Sequence, residues 1–347
     1  MDTESGGFFS YLGYSGKPVH TSKYKSLMIQ SRILYNFAEG LRFGMDFAAR
    51  GAEHAYACIA GKMKTEEGWY TSLYGDARVH PEVLDTYDNM FAILGLARYA
   101  EATGNAEIMQ EAVRLFRQVE ELTLIGDDPS EGLIGRVNPS GRKSDSPFRH
   151  YHRRSSRSGS NKSRYKIYTG NSNLHYLEAM AVLDHAFRAR PEFSGLRLDF
   201  TERVKDLREF FLRYIFDEKR HITFDHFRES FSEPFDMPGA SVSLAHGLEW
   251  VGFFRAFDGL QLPENIERAL LEKSRIEGLR EDGLFEDYFY LAEERTAGGG
   301  MFWPQVEAAL TYNIMAPIYG EPYYEAFRKT ATYYFEHFID PEGGVHM

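Results

Sequence analysis

Two short stretches of the sequence place a histidine one helical turn before a glutamate. The stretch "NSNLHYLEAM" contains His175 and Glu178. The stretch "SVSLAHGLEW" contains His246 and Glu249 in the same spacing. Residues three apart share one face of a helix, and a carboxylate at that distance can orient an imidazole, whose ordinary pKa near neutrality lets it take up and return a proton. The spacing favours proton transfer as the chemistry of both stretches.

Two other interpretations of these pairs remain open. A buried histidine–glutamate pair is often structural, because buried polar groups need hydrogen-bond partners. Four such side chains could also bind a metal, but the order of residues is the reverse of the Glu-x-x-His motif of di-iron bundles. We therefore expect no metal at these pairs.

Aromatic and polar residues recur near the starts of the predicted inner helices and in one loop between helix pairs. The flat faces of Trp and Tyr suit the C–H side of a sugar ring, whereas Arg, Asp, Asn, Gln and Glu bind hydroxyl groups. Together with Glu178, the residues that predict a site for a small hydroxylated ligand are Arg32, Trp69, Tyr87, Asp88, Asn173, Trp250, Trp303, Gln305 and Glu307.

A second enzyme class fits some of the same residues. A glycoside or unsaturated-uronide hydrolase requires two carboxylates, which Asp88 with Glu307 or Glu249 could supply. Asp88 is equally well explained as a carboxylate at a helix start. Trp250 and Trp303 could both be core residues.

Helical periodicity recurs along the chain, and strand signals are weak and short. Five predicted helices are apolar on nearly all sides, and each is followed by a second helix with one apolar stripe. This alternation of covered and half-exposed helices predicts an all-α, two-layered α/α toroid as a single domain over residues 1–347, with the site where the first-layer helices begin. The predicted pairs are 24–49 with 52–61, 84–103 with 107–124, 173–188 with 196–215, 243–257 with 263–277, and 303–317 with 322–338.

Composition excludes several classes of protein. The chain has 347 residues and a net charge of −11, which argues against general nucleic-acid binding. No apolar run reaches the length of a membrane span, and no signal peptide is visible. Cys58 is the only cysteine, so an internal disulfide is impossible. We expect a cytoplasmic protein.

Charge is distributed unevenly. Residues 142–166 contain nine Lys or Arg residues and one Asp, among many serines. A segment with so little apolar content predicts a solvated loop, at about 141–168. It could also bind an anion or an acidic partner.

A series of motifs in this order resembles the N-acylglucosamine 2-epimerase superfamily, and its mannose isomerase-like branch in particular. The series covers residues 6–345, nearly the whole chain. The motifs are "GGF", "QSR", "EEGWYTSLYGDA", "TYDNMFAILGLARYAEATGN", "NSNLHYLEA", "AHGLEW", "FWPQVEA" and "FIDPEGGV".

The resemblance implies an (α/α)6 barrel that interconverts free aldoses at C2 without a cofactor, through an enediolate. By motif, His246 matches the histidine that exchanges the C2 proton, and Glu249 matches its orienting partner. His175, beside Glu178, matches the histidine linked to ring opening. Arg32 matches the arginine that stabilises negative charge on the substrate oxygens.

The resemblance further implies sugar-packing roles for Trp303 and Trp69, and a small-molecule sugar as the partner. The sequence departs from the family pattern at Ala245, where glycine is usual, and at Phe302, where a second tryptophan is usual. Imidazole 246 and guanidinium 32 are expected to line a common cavity.

The family's sixth helix pair is expected to be missing here, since the matching motifs supply five complete pairs. In the family that pair carries a second catalytic histidine, and His346 is not in its setting. Apolar flanks left by its absence would favour association, so a homo-oligomer is possible. A truncated sequence, closure by another chain, and a catalytically impaired sugar-binding homologue are the alternatives that the sequence leaves open.

Overall fold

The computed structural model describes residues 1–13, 15–19, 23–124, 132–133, 135–137, 167–228, 231–235 and 239–340. Ten α-helices form within these ranges, and none of them is long and apolar enough to cross a membrane. Nearly all of the basic segment expected as a loop at 141–168 lies outside the described residues, as does His346.

The chain forms two compact units. One combines Met1–Ser146 with His175–Glu202, and the other combines Pro147–Leu174 with Arg203–Met347. We call them the first and the second unit. The single domain expected over residues 1–347 stays a prediction.

Helices of the first unit pack pairwise along the chain. Helix α1 contacts α2 and α3, and α3 contacts α4. The bounds are Leu27–Arg42 for α1, Asp46–Cys58 for α2, Thr86–Thr103 for α3 and Ala106–Thr123 for α4, and most of α5, Gly170–Ala189, also belongs to this unit.

Helices of the second unit continue the same alternation. Helix α7 contacts α8 and α9, and α9 contacts α10. The bounds are Thr201–Phe210 for α6, Leu244–Phe254 for α7, Glu264–Lys273 for α8, Phe302–Tyr319 for α9 and Glu321–His337 for α10.

The ten helices of the described ranges thus follow one another in the order that the sequence predicts, and contacts join α1 to α2, α3 to α4, α7 to α8 and α9 to α10. The largest difference is at the first pair, where one helix was expected over 24–49. The chain turns at Gly44, whose φ of +74° is a left-handed conformation that glycine adopts readily, and α2 already begins at Asp46.

Burial distinguishes the two kinds of helix. Most of α3 is buried, including consecutive residues from Asn89 to Arg98. Helix α4 buries one stripe that contains Ile108, Ala112 and Leu115 and leaves its other side to solvent. Covered and half-exposed helices thus alternate here, as the periodicity predicts.

Strands of two or three residues come directly before four of the five odd-numbered helices. At most one residue separates the ends of the strands β1 (Tyr24–Lys25), β4 (Leu84–Asp85), β6 (Ile167–Thr169) and β10 (Ser241–Val242) from the starts of α1, α3, α5 and α7, near which candidate site residues lie. All strand pairings in the described residues are antiparallel. Two sheets have three strands: β1 with β2 (Leu73–Tyr74) and β3 (Ala77–Arg78), and β10 with β11 (Tyr288–Tyr290) and β12 (Arg295–Ala297). Three sheets have two strands: β4 with β5 (Arg136–Val137), β6 with β9 (His226–Arg228), and β7 (Phe216–Asp217) with β8 (Ile222–Thr223).

A repeated connection follows three of the even-numbered helices. Helices α2, α6 and α8 each continue into a π-helical turn, at Ile59–Met63, Phe211–Ile215 and Ser274–Gly278. A tight hairpin then returns the chain, so that the N–H groups of Thr71, Phe224 and Glu286 donate to the last carbonyl of the respective turn at 3.0, 2.9 and 2.8 Å. The next residues are Ser72, Asp225 and Asp287.

Candidate functional site

His246 lies in the first turn of α7. Ser243 is the N-cap of this helix, and its hydroxyl accepts from the backbone N–H of Ala245 at 3.3 Å. Serine is a preferred N-cap because its side chain pairs with backbone N–H groups that the helix leaves unpaired. Strand β10 ends immediately before Ser243, so the position of His246 is set by both the strand and the cap.

The imidazole of His246 is bound by a carboxylate from another segment of the chain. Its Nδ1 atom lies 2.6 Å from Oδ1 of Asp225, and Oδ2 of the same carboxylate accepts from the backbone N–H of Ser243 at 3.0 Å. Burial raises the pKa of Asp225, but the charge of His246 and its hydrogen bond outweigh this effect and lower the pKa below its ordinary value. An ionised carboxylate can only accept, so Nδ1 donates.

Trp303 forms one wall beside the imidazole of His246. The two rings stack with their centroids 5.0 Å apart and their planes 28° from parallel. Trp303 is half-buried, and the side chain of His246 keeps 16% of its surface exposed. The pair is therefore accessible, with one ring nitrogen already occupied by Asp225.

The loop before Trp303 is held by a second buried aspartate. Asp287 accepts from the backbone N–H groups of Gly299 at 2.8 Å, Gly300 at 3.0 Å and Met301 at 3.3 Å. A Cβ atom on Gly298 would lie 2.7 Å from Cβ of Asp287, so the close approach requires glycine there. Glycines and carboxylate together position the start of α9.

Glu249 does not have the role expected from its spacing. Its Oε2 lies 4.0 Å from Nε2 of His246, beyond hydrogen-bonding distance, whereas Nδ1 is bound by Asp225. The carboxylate that contacts Nδ1 is that of Asp225, which lies 21 residues upstream of His246. The buried Glu249 instead faces the nitrogen that is not bound to Asp225.

The other histidine pair, in the first unit, does form as its spacing predicts. Nδ1 of His175 lies 2.7 Å from Oε2 of Glu178. The imidazole is buried and packs against the rings of Tyr87 at 5.1 Å and Phe91 at 4.7 Å between centroids. A carboxylate fixes one nitrogen of this ring, and two aromatic rings fix its plane.

Arg32 belongs to the same group of side chains. Its guanidinium carbon lies 4.3 Å from the centroid of the Phe91 ring, in a cation–π contact. Arg32 is exposed, so its charge can reach a ligand. The structure thus brings together Arg32, Tyr87, His175 and Glu178 through Phe91.

Two of the predicted sugar-packing tryptophans are buried in packing roles. Trp250 is 2% exposed and contacts the rings of Phe211 and Phe254. Trp69 is also 2% exposed, and its indole N–H donates to the carbonyl of Pro81 at 3.2 Å. Neither placement supports the expectation that these residues contact a sugar.

Gln305 is fully buried, and its amide bonds only to backbone. Its oxygen accepts from the N–H of Phe285 at 2.8 Å, and its nitrogen donates to the carbonyls of Gly283 and Thr330 at 2.7 and 2.8 Å. The residue cross-links the hairpin after α8 to α10, which is a structural role.

The three remaining candidates occupy the starts of their helices. Asn173 is fully buried in the first turn of α5. Asp88 is half-buried in the first turn of α3, where its N–H donates to the Asp85 side chain at 3.2 Å. Glu307 is half-buried on α9. Sugar binding by these three residues stays a prediction.

Sequence patterns missed Asp225, Asp287 and Phe91. Asp225 and Asp287 follow hairpins rather than helical motifs, and their common feature is the place two residues after a hairpin strand or bridge. Recognition of the repeated hairpin would have drawn attention to both. In the part of the chain that the structure describes, no group of three or more His, Cys, Asp or Glu side chains is arranged to hold a metal ion.

A search of curated proteins finds cellobiose 2-epimerases. That of Ruminococcus albus is 32% identical over 126 residues, which are 35% of this chain and 32% of the relative. A second, from Dictyoglomus turgidum, is 25% identical over 237 residues, or 65% of this chain and 55% of the relative. The matched regions thus span about a third to about half of these relatives.

Likeness to a solved structure extends over the whole chain. The cellobiose 2-epimerase of Spirochaeta thermophila matches with a TM-score of 0.80 and 21% identity, over 100% of this chain and 82% of that one. This likeness shows the fold class, the all-α (α/α)6 barrel that the sequence predicts.

The model of the N-acylglucosamine 2-epimerase family matches residues 7–346. The matched range includes both histidine groups and every candidate site residue. The resemblance inferred from the ordered motifs is thereby confirmed. The chain belongs to the N-acylglucosamine 2-epimerase family.

Proposed function

We propose that this protein interconverts free sugars at C2, as a 2-epimerase or as an aldose–ketose isomerase. The observation that carries the proposal is the accessible imidazole of His246, stacked on Trp303, with Nδ1 bound by a buried carboxylate and Nε2 left for proton transfer. Family membership supports it. The cellobiose 2-epimerases it resembles are named for a disaccharide.

His246 acts as the acid–base group. Its Nε2 takes the proton from C2 of the open-chain aldose, and the electron pair left behind forms the enediolate, with negative charge on the oxygen at C1. Return of the proton from Nε2 to C1, together with movement of the O2 proton to O1, gives the ketose. Delivery of a proton from water or from an acid on the other face of C2 gives the epimer, and His246 then loses its extra proton to solvent. Glu249, 4.0 Å from Nε2, stabilises the imidazolium while it carries the proton.

Arg32 and His175 take the roles that the family motifs imply. The exposed guanidinium of Arg32 stabilises negative charge on the substrate oxygens. His175, oriented by Glu178, binds a hydroxyl group and assists ring opening. Tyr87 lies against His175 and offers an apolar face to the sugar.

The proposal includes an absence of metal and nucleotide cofactors, a cytoplasmic location and no nucleic-acid or membrane partner. The single cysteine supports the cytoplasmic location, the net charge of −11 supports the absence of a nucleic-acid partner, and the family resemblance supports the absence of a cofactor. A homo-oligomer is compatible with the exposed side chains of Leu310, Ile314 and Ile318 on α9.

The experiment measures exchange of the C2 hydrogen of mannose, glucose and cellobiose in deuterated water by NMR. We expect the protein to exchange this hydrogen and to release the epimer or ketose, and H246A to lose exchange. Saturable binding without exchange would favour the catalytically impaired homologue. Release of reducing sugar from an aryl glycoside would favour the hydrolase.

A further inference from the structure

Three residues occupy equivalent places after the repeated hairpins: Ser72, Asp225 and Asp287. Each accepts with its side chain from backbone N–H at the start of an odd-numbered helix. Ser72 accepts from Leu27 at 3.0 Å, Asp225 from Ser243 at 3.0 Å, and Asp287 from the loop before α9. The shared task is to satisfy N–H groups that a helix start leaves unpaired.

Only Asp225 of these three also bonds to an imidazole. Each of its carboxylate oxygens has a different partner: Oδ2 accepts from the backbone N–H of Ser243, and Oδ1 lies 2.6 Å from Nδ1 of His246. The carbonyl of Asp225 accepts from the N–H of Gly170, the first residue of α5, at 3.0 Å. The aspartate is thus fixed by backbone contacts on both sides, so it is a rigid partner for the ring.

A hydroxyl or carboxylate would serve the helix start equally well, as Ser72 shows. The hydroxyl of serine is too short to reach the ring as well, and the amide of asparagine would present N–H to it. An ionised carboxylate accepts the Nδ1 proton and leaves the lone pair on Nε2. The choice of aspartate is therefore explained by the imidazole rather than by the helix start.

We propose that Asp225 is the positioning residue that fixes the tautomer and orientation of His246, so that Nε2 is the base. The expected loss of activity on substitution of Asp225 rests on the proposed function. The change in the tautomer of His246 can be measured without any activity. In D225N, the amide can accept from Ser243 and donate to Nδ1, which moves the imidazole proton to Nε2. The base then carries a proton where it needs a lone pair.

The activity test compares the wild type with D225N and D225S in the C2 exchange assay. D225S keeps an acceptor for the helix start, as Ser72 does, and loses the contact with the ring. We expect both variants to lower kcat by about 10²-fold or more with KM changed less than about 3-fold. Wild-type kcat in a folded D225S would overturn the proposal, because capping alone would then explain the residue.

The tautomer test uses ¹⁵N-histidine NMR of the same proteins. We expect the His246 ring of the wild type to carry its proton on Nδ1 at high pH, and that of D225N to carry it on Nε2. D287N is the matched control, because it alters the equivalent carboxylate without touching an imidazole, and we expect it to leave the His246 tautomer unchanged. An unchanged tautomer in D225N would overturn the proposal.

The two tests separate failure of this inference from failure of the proposed function. If the wild type exchanges no C2 hydrogen but D225N still moves the ring proton, the positioning role stands and the sugar reaction fails. If the wild type is active and D225N and D225S retain its rate and its tautomer, the reaction stands and the positioning role fails.

Discussion

The two histidine groups share one sequence motif and differ in structure. In the first unit, Glu178 three residues after His175 binds Nδ1 at 2.7 Å. In the second unit, Glu249 three residues after His246 lies 4.0 Å from Nε2, and Asp225 from a distant hairpin binds Nδ1. His-x-x-Glu spacing therefore permits a pairing without determining it, and a competing carboxylate decides which nitrogen remains available.

The two imidazoles also differ in solvent exposure. The His175 ring is enclosed by Tyr87 and Phe91 and is buried, which suits a binding role. The His246 ring lies against a single half-buried tryptophan and retains exposed surface, which suits proton exchange. The comparison leads to an order of expected mutational effects.

The largest effect is expected from loss of the His246 imidazole. H246A should lower kcat for C2 exchange by about 10²–10⁴-fold, because the group that moves the proton is gone. H175A should act more on KM, because its ring is buried and binds. Steady-state kinetics on both variants test this contrast, and a greater loss of kcat in H175A would reverse the roles of the two groups.

The second prediction compares the loss of stability on replacing two tryptophans of the second unit by alanine. W250A should lower the free energy of unfolding by about 3–5 kcal/mol, because a fully buried ring packed on Phe211 and Phe254 is removed. W303A should change stability much less. Urea unfolding of both variants measures the difference, and equal losses would show that Trp303 is a core residue.

The third prediction compares the loss of kcat/KM on replacing Glu178 or Glu249 by glutamine. E178Q removes an ionised acceptor from His175 and should lower kcat/KM by about 10–100-fold, the usual value of a hydrogen bond to a charged group. E249Q should have a smaller effect, since its carboxylate forms no hydrogen bond with His246. The two substitutions are matched in chemistry, and a larger loss in E249Q would show that the charge of Glu249 beside Nε2 matters more than the hydrogen bond of Glu178.

A fourth effect concerns the wall beside His246. W303A should raise KM for the sugar about 5-fold to 10-fold, because the flat face against the C–H side of the ring is lost. W303F retains an aromatic face and should lie between the wild type and W303A. An unchanged KM in both variants would remove Trp303 from the binding surface.

The last prediction concerns stability and an ion pair that is separate from either histidine. Lys25 bonds to Asp2 at 2.7 Å, and although burial raises the pKa of Asp2, hydrogen bonds and the charge of Lys25 lower it to about 2. The folded pKa is below the unfolded one, so this stability is complete above about pH 4 and is lost as the pH falls towards 2. D2N should cost about 2 kcal/mol at pH 7 and almost nothing near pH 2.

Urea unfolding at several pH values measures this difference. E4Q is the matched control, because Glu4 is exposed and its substitution should change stability by less than about 0.5 kcal/mol. A D2N difference that persists at low pH would mean that packing, rather than charge, explains the contribution of Asp2.

Much of the fold could be predicted from the sequence. The helices follow from apolar periodicity, which is a local property, and the starts of α3 and α7 follow from the capping residues Asp85 and Ser243. The merged prediction over 24–49 failed because one glycine in an apolar stretch is a weak signal of a turn.

The candidate site could be predicted only in part. The motifs identified His246 and His175 and their helices, but spacing could not show that Trp250 faces the core while Trp303 faces His246. Both tryptophans lie on an apolar helix, and their exposure depends on which neighbouring elements pack against each face. The burial of Trp69 and Gln305 has the same cause.

By itself, the sequence determined the helices, the family and the pair of residues three apart, because helix geometry and ordered motifs are properties of neighbouring residues. Only the tertiary structure decided which carboxylate binds His246. The distance from Asp225 to His246 spans 21 residues of chain and depends on the hairpin after α6 returning to the start of α7. No local spacing encodes that contact, since it exists only once the hairpin and the helix have packed together.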